Sequence, residues 1–525
     1  MRSQTMSLPL LSEPTLSDST EHDKQSLTVM ICTLASRLLG IVRSRVLTTL
    51  FGATAVADVI NFTFNIPNNF RKLFAEGAMN SALIPSFSSL LAEKRNNEAQ
   101  KLFALLVTYQ TVLFIPLTVF TYIYGKEIIA FLSDFEAEQV LLGSKLLPYF
   151  IAYLGTISLS ATFTGLLQLH KRFFHAFASP LCYSIVVISG VLLTSSSFGA
   201  MSVAYATIAG GALQGFYAYI TLRREGYRFR LTFNPKGTTF APTLKAWGFV
   251  SIGMGMQIVT QMVSYYLAST LGEGSVTAFA NSLIFYQTPY GIFFNAIAAV
   301  SLPALSMAFA QNDHAALKRQ SREALSKLTS LLLPSTIIIY AFRLEIISVI
   351  LQGGKFTHAD SIRTATVLGP YLLFMTSTAF HSLLVRLGFA TKRFKAMTMV
   401  QIVQNVLDML LMVLLIKGNA GLQALSLANG ISYLLSLFII LFIVKDLYTP
   451  FTDRVLFKEV GKIILANIPI LVGAILYKLL APPWYADGST WKNLGILIVI
   501  GLSSIFVWLT SYKRFKIDFF TILSR

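Results

Sequence analysis

The chain has 525 residues, of which 54% are hydrophobic and only 13% charged, with a mean hydropathy of +0.64. Soluble domains are about 25% charged, and a soluble chain this apolar could not cover its surface with polar groups, so a soluble enzyme is excluded. The net charge of +18, from 42 Lys and Arg against 24 Asp and Glu, suggests nucleic acid in a soluble chain but cytoplasmic loops in a membrane chain.

Residues 1–26 are rich in Ser and Thr and mildly acidic. They predict a disordered cytoplasmic tail without a cleavable signal, because no basic region leads into a short apolar core and a small-residue cleavage site. Apolar segments follow at about 27–51, 56–92, 102–124, 139–169, 176–195, 199–221, 246–270, 276–310, 328–342, 361–390, 396–416, 421–444, 463–480 and 493–512, fourteen in all. A crossing takes roughly 20 residues, so an all-α polytopic protein with about fourteen transmembrane helices is expected. The second, fourth, eighth and tenth segments exceed one straight crossing of a roughly 30 Å core. Pro67, Pro85, Pro148, Pro289 and Pro303 mark the expected irregularities in the first three of these.

A weak internal repeat divides the chain. Phe51-Gly52, Pro67 and Ala82-Leu83-Ile84-Pro85-Ser86-Phe87 reappear as Leu271-Gly272, Pro289 and Ser301-Leu302-Pro303-Ala304-Leu305-Ser306. The same orientation in both copies predicts parallel six-helix lobes over 27–222 and 246–444. A basic cytoplasmic linker, 223–245, joins them, and a helix pair with a basic tail, 445–525, follows.

With a cytoplasmic N-terminus, 28 Lys and Arg fall on cytoplasmic regions and five on the opposite loops. This asymmetry places both termini in the cytoplasm. Nine basic residues remain inside apolar spans. Lys478 and Arg386 lie near segment ends and are expected to snorkel. Arg37, Arg43, Arg45, Arg71 and Lys72 crowd the first two helices, where only Asp58 and Glu76 could offset them. A charge at the bilayer centre costs about 2.5–3.5 kcal/mol even on the cheapest scale. These residues should therefore face a wet cavity or an anionic ligand.

The same region carries Ser36-Arg37-Leu38-Leu39-Gly40, Arg43, Phe51-Gly52-Ala53, Ala57-Asp58, Pro67-Asn68, Arg71 and Phe74-Ala75-Glu76-Gly77-Ala78. This string resembles the MurJ/MviN family of lipid II flippases, a branch of the multidrug and oligosaccharidyl-lipid exporters. The resemblance implies a bacterial inner-membrane transporter that carries lipid II, the lipid-linked peptidoglycan precursor, from the inner to the outer leaflet for cell-wall synthesis. It implies membrane lipids and cell-wall synthesis proteins as further partners. The family's cavity arginines map to Arg37, Arg43 and Arg71, which suit a pyrophosphate because guanidinium binds phosphate bidentately. Asp58 and Glu76 would hold arginines or gate the external side.

The sequence departs from the family pattern in two places. Ser44 stands where an Asp is common, with an extra Arg45 beside it, and Ala280-Asn281-Ser282-Leu283 replaces an arginine-bearing stretch on the eighth helix. Asn281 and Ser282, with Tyr286 and Gln287, would then contact the cargo by hydrogen bonds, and Arg45 or Lys72 would supply the missing charge. On the eleventh helix Asp408, beside Asn405, is a lone intramembrane acid and so a candidate for cation coupling; the resemblance implies, from some family members, a sodium site with acids on the seventh and eleventh helices, or else proton coupling, and residues 246–270 contain no acid.

No nucleotide, metalloprotease or nucleophile-elbow motif occurs, so no cofactor and no enzyme activity are expected. An intramembrane lipid-modifying enzyme would have only His381 and Asp408 to work with. A cation-drug exporter of the same fold would need acids in its cleft. Cys32 and Cys182 read as inert buried thiols. The stretch Arg223 to Arg230 interleaves aromatics with arginines, and its place between two spans predicts anionic headgroup contact, with no nucleic acid.

Overall fold

The structure is a computed structural model and describes residues 16–75, 77–448, 450–480, 483–487 and 490–517. Glu76, residues 1–15 of the expected tail and the last eight residues lie outside these. In chain order the α-helices are α1 (Leu16–Phe51), α2 (Ala55–Phe74), α3 (Gly77–Ala92), α4 (Asn96–Leu132), α5 (Ala137–Leu169), α6 (Phe173–Phe198) and α7 (Met201–Arg224). They continue as α8 (Phe240–Ser269), α9 (Ser275–Ala310), α10 (His314–Ala341), α11 (Arg343–Leu351), α12 (His358–Leu373) and α13 (Met375–Ala390). The last are α14 (Phe394–Lys417), α15 (Gln423–Ile443), α16 (Arg454–Leu480) and α17 (Thr490–Arg514). No strand occurs among the described residues, so the fold is all-α. Each of the fourteen apolar segments coincides with one helix or one consecutive pair. Nine described helices are by themselves long and apolar enough to cross a membrane, and the bent pair α12–α13 makes ten. α1 begins at Leu16, so residues 16–26, expected in the tail, are helical.

The prolines do not break the chain where the sequence suggests. Pro67, Pro85, Pro148, Pro289 and Pro303 all lie inside helices, as membrane helices tolerate when neighbours re-satisfy the freed carbonyls. The second segment breaks instead at Ala75, whose φ of −124° and ψ of −13° leave the helical region. The tenth bends by 47° at Phe374, where the ring packs on Gly430 so closely that a Cβ there would lie 2.1 Å from Phe374 Cδ2.

One end of the molecule is built from repeated basic turns. Lys94-Arg95, Lys171-Arg172 and Lys392-Arg393 each place the lysine in the left-handed region, at φ of 58°, 59° and 61°. Each following arginine N–H returns to a carbonyl five residues back, at Leu90, Leu167 and Gly388. These are Schellman-type stops in which cations also face the negative helix ends. The opposite end carries the α1–α2, α8–α9 and α11–α12 turns, where Gly52 and Gly272 adopt φ of 69° and 86°.

α4–α7 pack closely on one another and on α1–α2, while α9, α10 and α12–α15 form a second group; α16 and α17 pair and lean on α10 and α11. The groups share an apolar plug in which Phe62 meets Tyr265 edge-on at 6.3 Å and Tyr265 meets Phe279 at 5.1 Å. Large apolar side chains such as Tyr122, Leu193, Phe442 and Leu480 stay exposed on the outer faces, as expected where hydrocarbon is the solvent.

Candidate functional site

Between the two groups lies a cavity of about 610 Å³, walled by α1, α2, α5, α6, α7, α8 and α9. Helical periodicity selects its lining. On α1 the wall is Ser36, Gly40, Arg43, Ser44, Leu47 and Thr48, which recur at spacings of three and four and so share one face. On α2 it is Asn61, Asn65, Asn68, Asn69 and Lys72, again one face, with Arg71 beside it. Across from these stand Thr277, Asn281 and Gln287 of α9 and Gln261 and Tyr265 of α8.

Arg43, Arg71 and Lys72 are the cations of this lining, and no acid is among its described residues. The Arg43 guanidinium lies 5.2 Å from the Tyr183 ring centroid, and Tyr183 stacks on Tyr153 at 5.0 Å. This cation–π contact positions the charge without neutralising it. Arg71 and Lys72 occupy the last turn of α2, where the helix dipole favours positive charge. The break at Ala75, itself a lining residue, thus sets two cations into the cavity wall.

Among the described residues, the second group contributes no charge to the lining. Asn281 does face the cavity, and its Oδ1 accepts from Ser44 Oγ at 3.0 Å. Ser282 does not: it is 0% exposed and donates to the Phe279 carbonyl, because one residue along a helix turns the side chain by about 100°. Arg37 is likewise outside the lining. It lies six residues before Arg43, about 240° around the helix, and packs across to α9, where a Cβ on Gly291 would be 3.0 Å from its Nη2. Arg45 is tied to the Gln352 carbonyl and does not supply the missing charge. Arg386 lies 4.8 Å from the Phe294 centroid, and Lys478 pairs with the buried Glu345.

The cavity is closed at the end bearing the α1–α2 and α8–α9 turns. Asp58, 2% exposed, pairs with no described arginine and instead caps α9. Its Oδ2 accepts from Gly274 N at 2.7 Å, and its Oδ1 accepts from Thr277 N at 2.7 Å and Thr277 Oγ1 at 2.6 Å. The Ala55 amide donates to Glu273 Oε1 at 2.8 Å, and Arg363 donates to the Glu273 carbonyl. At the α11–α12 turn Lys355 N donates to the Thr49 carbonyl at 3.0 Å. Glu76 lies outside the described residues.

A model of the family described as "Lipid II flippase MurJ" matches residues 47–494. The chain belongs to the MurJ family. A probable lipid II flippase MurJ of Borreliella burgdorferi is 30% identical over 490 residues, covering 93% of this chain and 96% of that protein. Another, of Thermotoga maritima, is 27% identical and covers 94% and 97%. Among solved structures, a lipid II flippase MurJ in an inward closed conformation superposes with a TM-score of 0.77 at 22% identity, over 95% of this chain and 100% of that one. An inward-facing multidrug resistance MATE family transporter matches with a TM-score of 0.67 at 13% identity, over 80% and 96%. Both likenesses concern the fold. In this MurJ-family chain Asp408 lies apart from the cavity lining, 1% exposed, with Oδ2 accepting from Asn429 Nδ2 at 2.7 Å. Asn405 is turned away onto the Gln401 carbonyl. No group of three or more His, Cys, Asp or Glu that could hold a metal ion occurs among the described residues.

The asparagine face of α2 is the part of the site that sequence reasoning missed. Its signal was present: Asn61, Asn65, Asn68 and Asn69 recur at helical spacing in an apolar segment.

Proposed function

We propose that this chain flips lipid II from the inner to the outer leaflet of the bacterial cytoplasmic membrane by alternating access. The observation that carries this reading is a cavity whose described lining has three cations, no acid and a broad amide face. Arg43, Arg71 and Lys72 hold the pyrophosphate by charge-assisted hydrogen bonds. Asn61, Asn65, Asn68, Asn281 and Gln287 serve the sugar and peptide, whose amides and hydroxyls need matching partners. The polyprenyl tail stays in lipid between the lobes. A cationic drug would meet like charge here, which disfavours the drug-exporter alternative.

The sequence assigns 28 Lys and Arg to one set of loops and five to the other, and this positive-inside asymmetry supports a cytoplasmic basic end with both termini inside. The contacts of Asp58, Glu273 and the α11–α12 turn then form the outer gate. The lobes rock to open it while the cytoplasmic side closes, and Arg37 at the α1–α9 seam moves with that rocking. Outward passage of an anionic headgroup is assisted by an inside-negative potential, worth about 2.3 kcal/mol per charge per 100 mV. Asp408, a buried carboxyl with no cation partner among the described residues, is assigned to coupling with a proton or a sodium ion; its single carboxylate and the turned-away Asn405 fit a proton better than a coordinated ion. In cells depleted of their own flippase, the wild-type chain should restore growth and Arg43→Ala and Arg71→Ala should not. Full rescue by both variants would overturn the cargo assignment.

A further inference from the structure

The segment between α7 and α8 forms a strap along α4 whose shape fits a charged bilayer surface. Tyr227 and Phe240 anchor its ends in the apolar core, Tyr227 edge-on to Phe103 at 5.3 Å and Phe240 against Tyr109 at 4.8 Å. Between them the backbone is pinned to α4 at two depths. Arg228 exchanges hydrogen bonds with Gln100, its N–H donating to Oε1 at 3.1 Å and its carbonyl accepting from Nε2 at 2.6 Å. Thr232 N donates to Thr108 Oγ1 at 3.1 Å, and the strap then returns, the Lys236 carbonyl accepting from Lys101 Nζ at 2.6 Å. Eight residues of α4 separate Gln100 from Thr108, about 12 Å at 1.5 Å per residue. The strap therefore dips from the basic end toward the middle of the molecule and comes back.

Its sequence alternates in the same sense. Phe229, Leu231 and Phe233 are 47%, 65% and 60% exposed, and their two-residue spacing puts them on one side of an extended chain. Arg228, Arg230 and Lys236 are also exposed, and Glu225, the single acid between Arg223 and Lys245, is already paired with Arg172 at 2.7 Å. Below the tip, α4 continues with exposed Val112, Leu113 and Ile115. Three large apolar side chains facing water would be a liability; adjoining a lipid-facing surface, with cations above them, they match an interfacial anchor.

We propose that residues 227–236 are a binding site for anionic phospholipid headgroups, with Phe229, Leu231 and Phe233 inserted at the acyl boundary and Arg228, Arg230 and Lys236 on the phosphates. Because the strap leads through a turn at Gly237 into α8, the site ties bilayer charge to the segment that joins the two helix groups. The test uses the full chain with Cys32→Ser and Cys182→Ser, in phosphatidylcholine vesicles with and without phosphatidylglycerol. A spin label on Leu231→Cys should collide with oxygen and be shielded from an aqueous nickel chelate, unlike a label on the exposed Glu93→Cys. In detergent, Arg228→Gln/Arg230→Gln should retain phosphatidylglycerol less well, by about fivefold per guanidinium removed. Equal nickel access at the two labels, or unchanged phosphatidylglycerol retention, would overturn the proposal; neither readout depends on flipping.

Discussion

Replacing Asp58 tests whether the seal depends on one carboxylate. Its two oxygens accept three hydrogen bonds from Gly274 and Thr277, two of them from amides at the start of α9 that the helix leaves without partners. Hydrogen bonds to a charged group are worth about 1.5–3 kcal/mol each, but an opened gate would return the carboxylate to water, so about 1 kcal/mol net per bond is the appropriate scale. Asp58→Ala should then favour the outward-open state by about 3 kcal/mol, roughly a hundredfold at 1.4 kcal/mol per decade. Asp58→Asn, which keeps one acceptor oxygen, should shift it by about tenfold. In cells, an Asn65→Cys probe in the cavity, without Cys32 and Cys182, would be labelled by a membrane-impermeant thiol reagent applied outside. Labelling should rise in the order wild type, Asp58→Asn, Asp58→Ala. Equal labelling in all three would refute the reasoning, since the seal would then not depend on this cap.

The same assay applies to Gly52, whose φ of 69° and closeness to the Lys355 carbonyl, 2.7 Å from a built Cβ, leave no room for a side chain; Gly52→Ala should also raise outside labelling, with no change of charge. Lys478→Met should lower the thermal midpoint by leaving Glu345, 1% exposed, without its cation, at a cost of about 1–3 kcal/mol given the half-exposed lysine. Lys478→Met/Glu345→Gln should recover most of that loss in a melting experiment, and no recovery would argue against a coupled pair.

Much of this molecule can be read from composition and periodicity. The apolar segments and the uneven loop charges follow from bilayer thickness and headgroup chemistry, which act on single segments and need no tertiary information. The crowd of charges in the first two helices points to a cavity for the same reason. The arginines of the first helix do not share one face: the six-residue offset between Arg37 and Arg43 separates them around the helix. Ser282 fails beside Asn281 for the same geometric reason. The destination of Asp58 was not legible, because its partners lie more than 200 residues away and a helix-end amide competes with an arginine without leaving a motif. Nor was the break at Ala75, since neighbouring helices, rather than Pro67 or Pro85, decide where an intramembrane helix ends.

The cavity's cations should be judged by translocation itself. The purified chain in vesicles, supplied with fluorescent lipid II on one leaflet and an enzyme reading exposure on the other, should move the lipid. Arg43→Gln/Arg71→Gln/Lys72→Gln should slow that movement by at least about a hundredfold, the loss of several charge-assisted contacts. Translocation at the wild-type rate in the triple variant would contradict the assignment of this cavity to the lipid II headgroup.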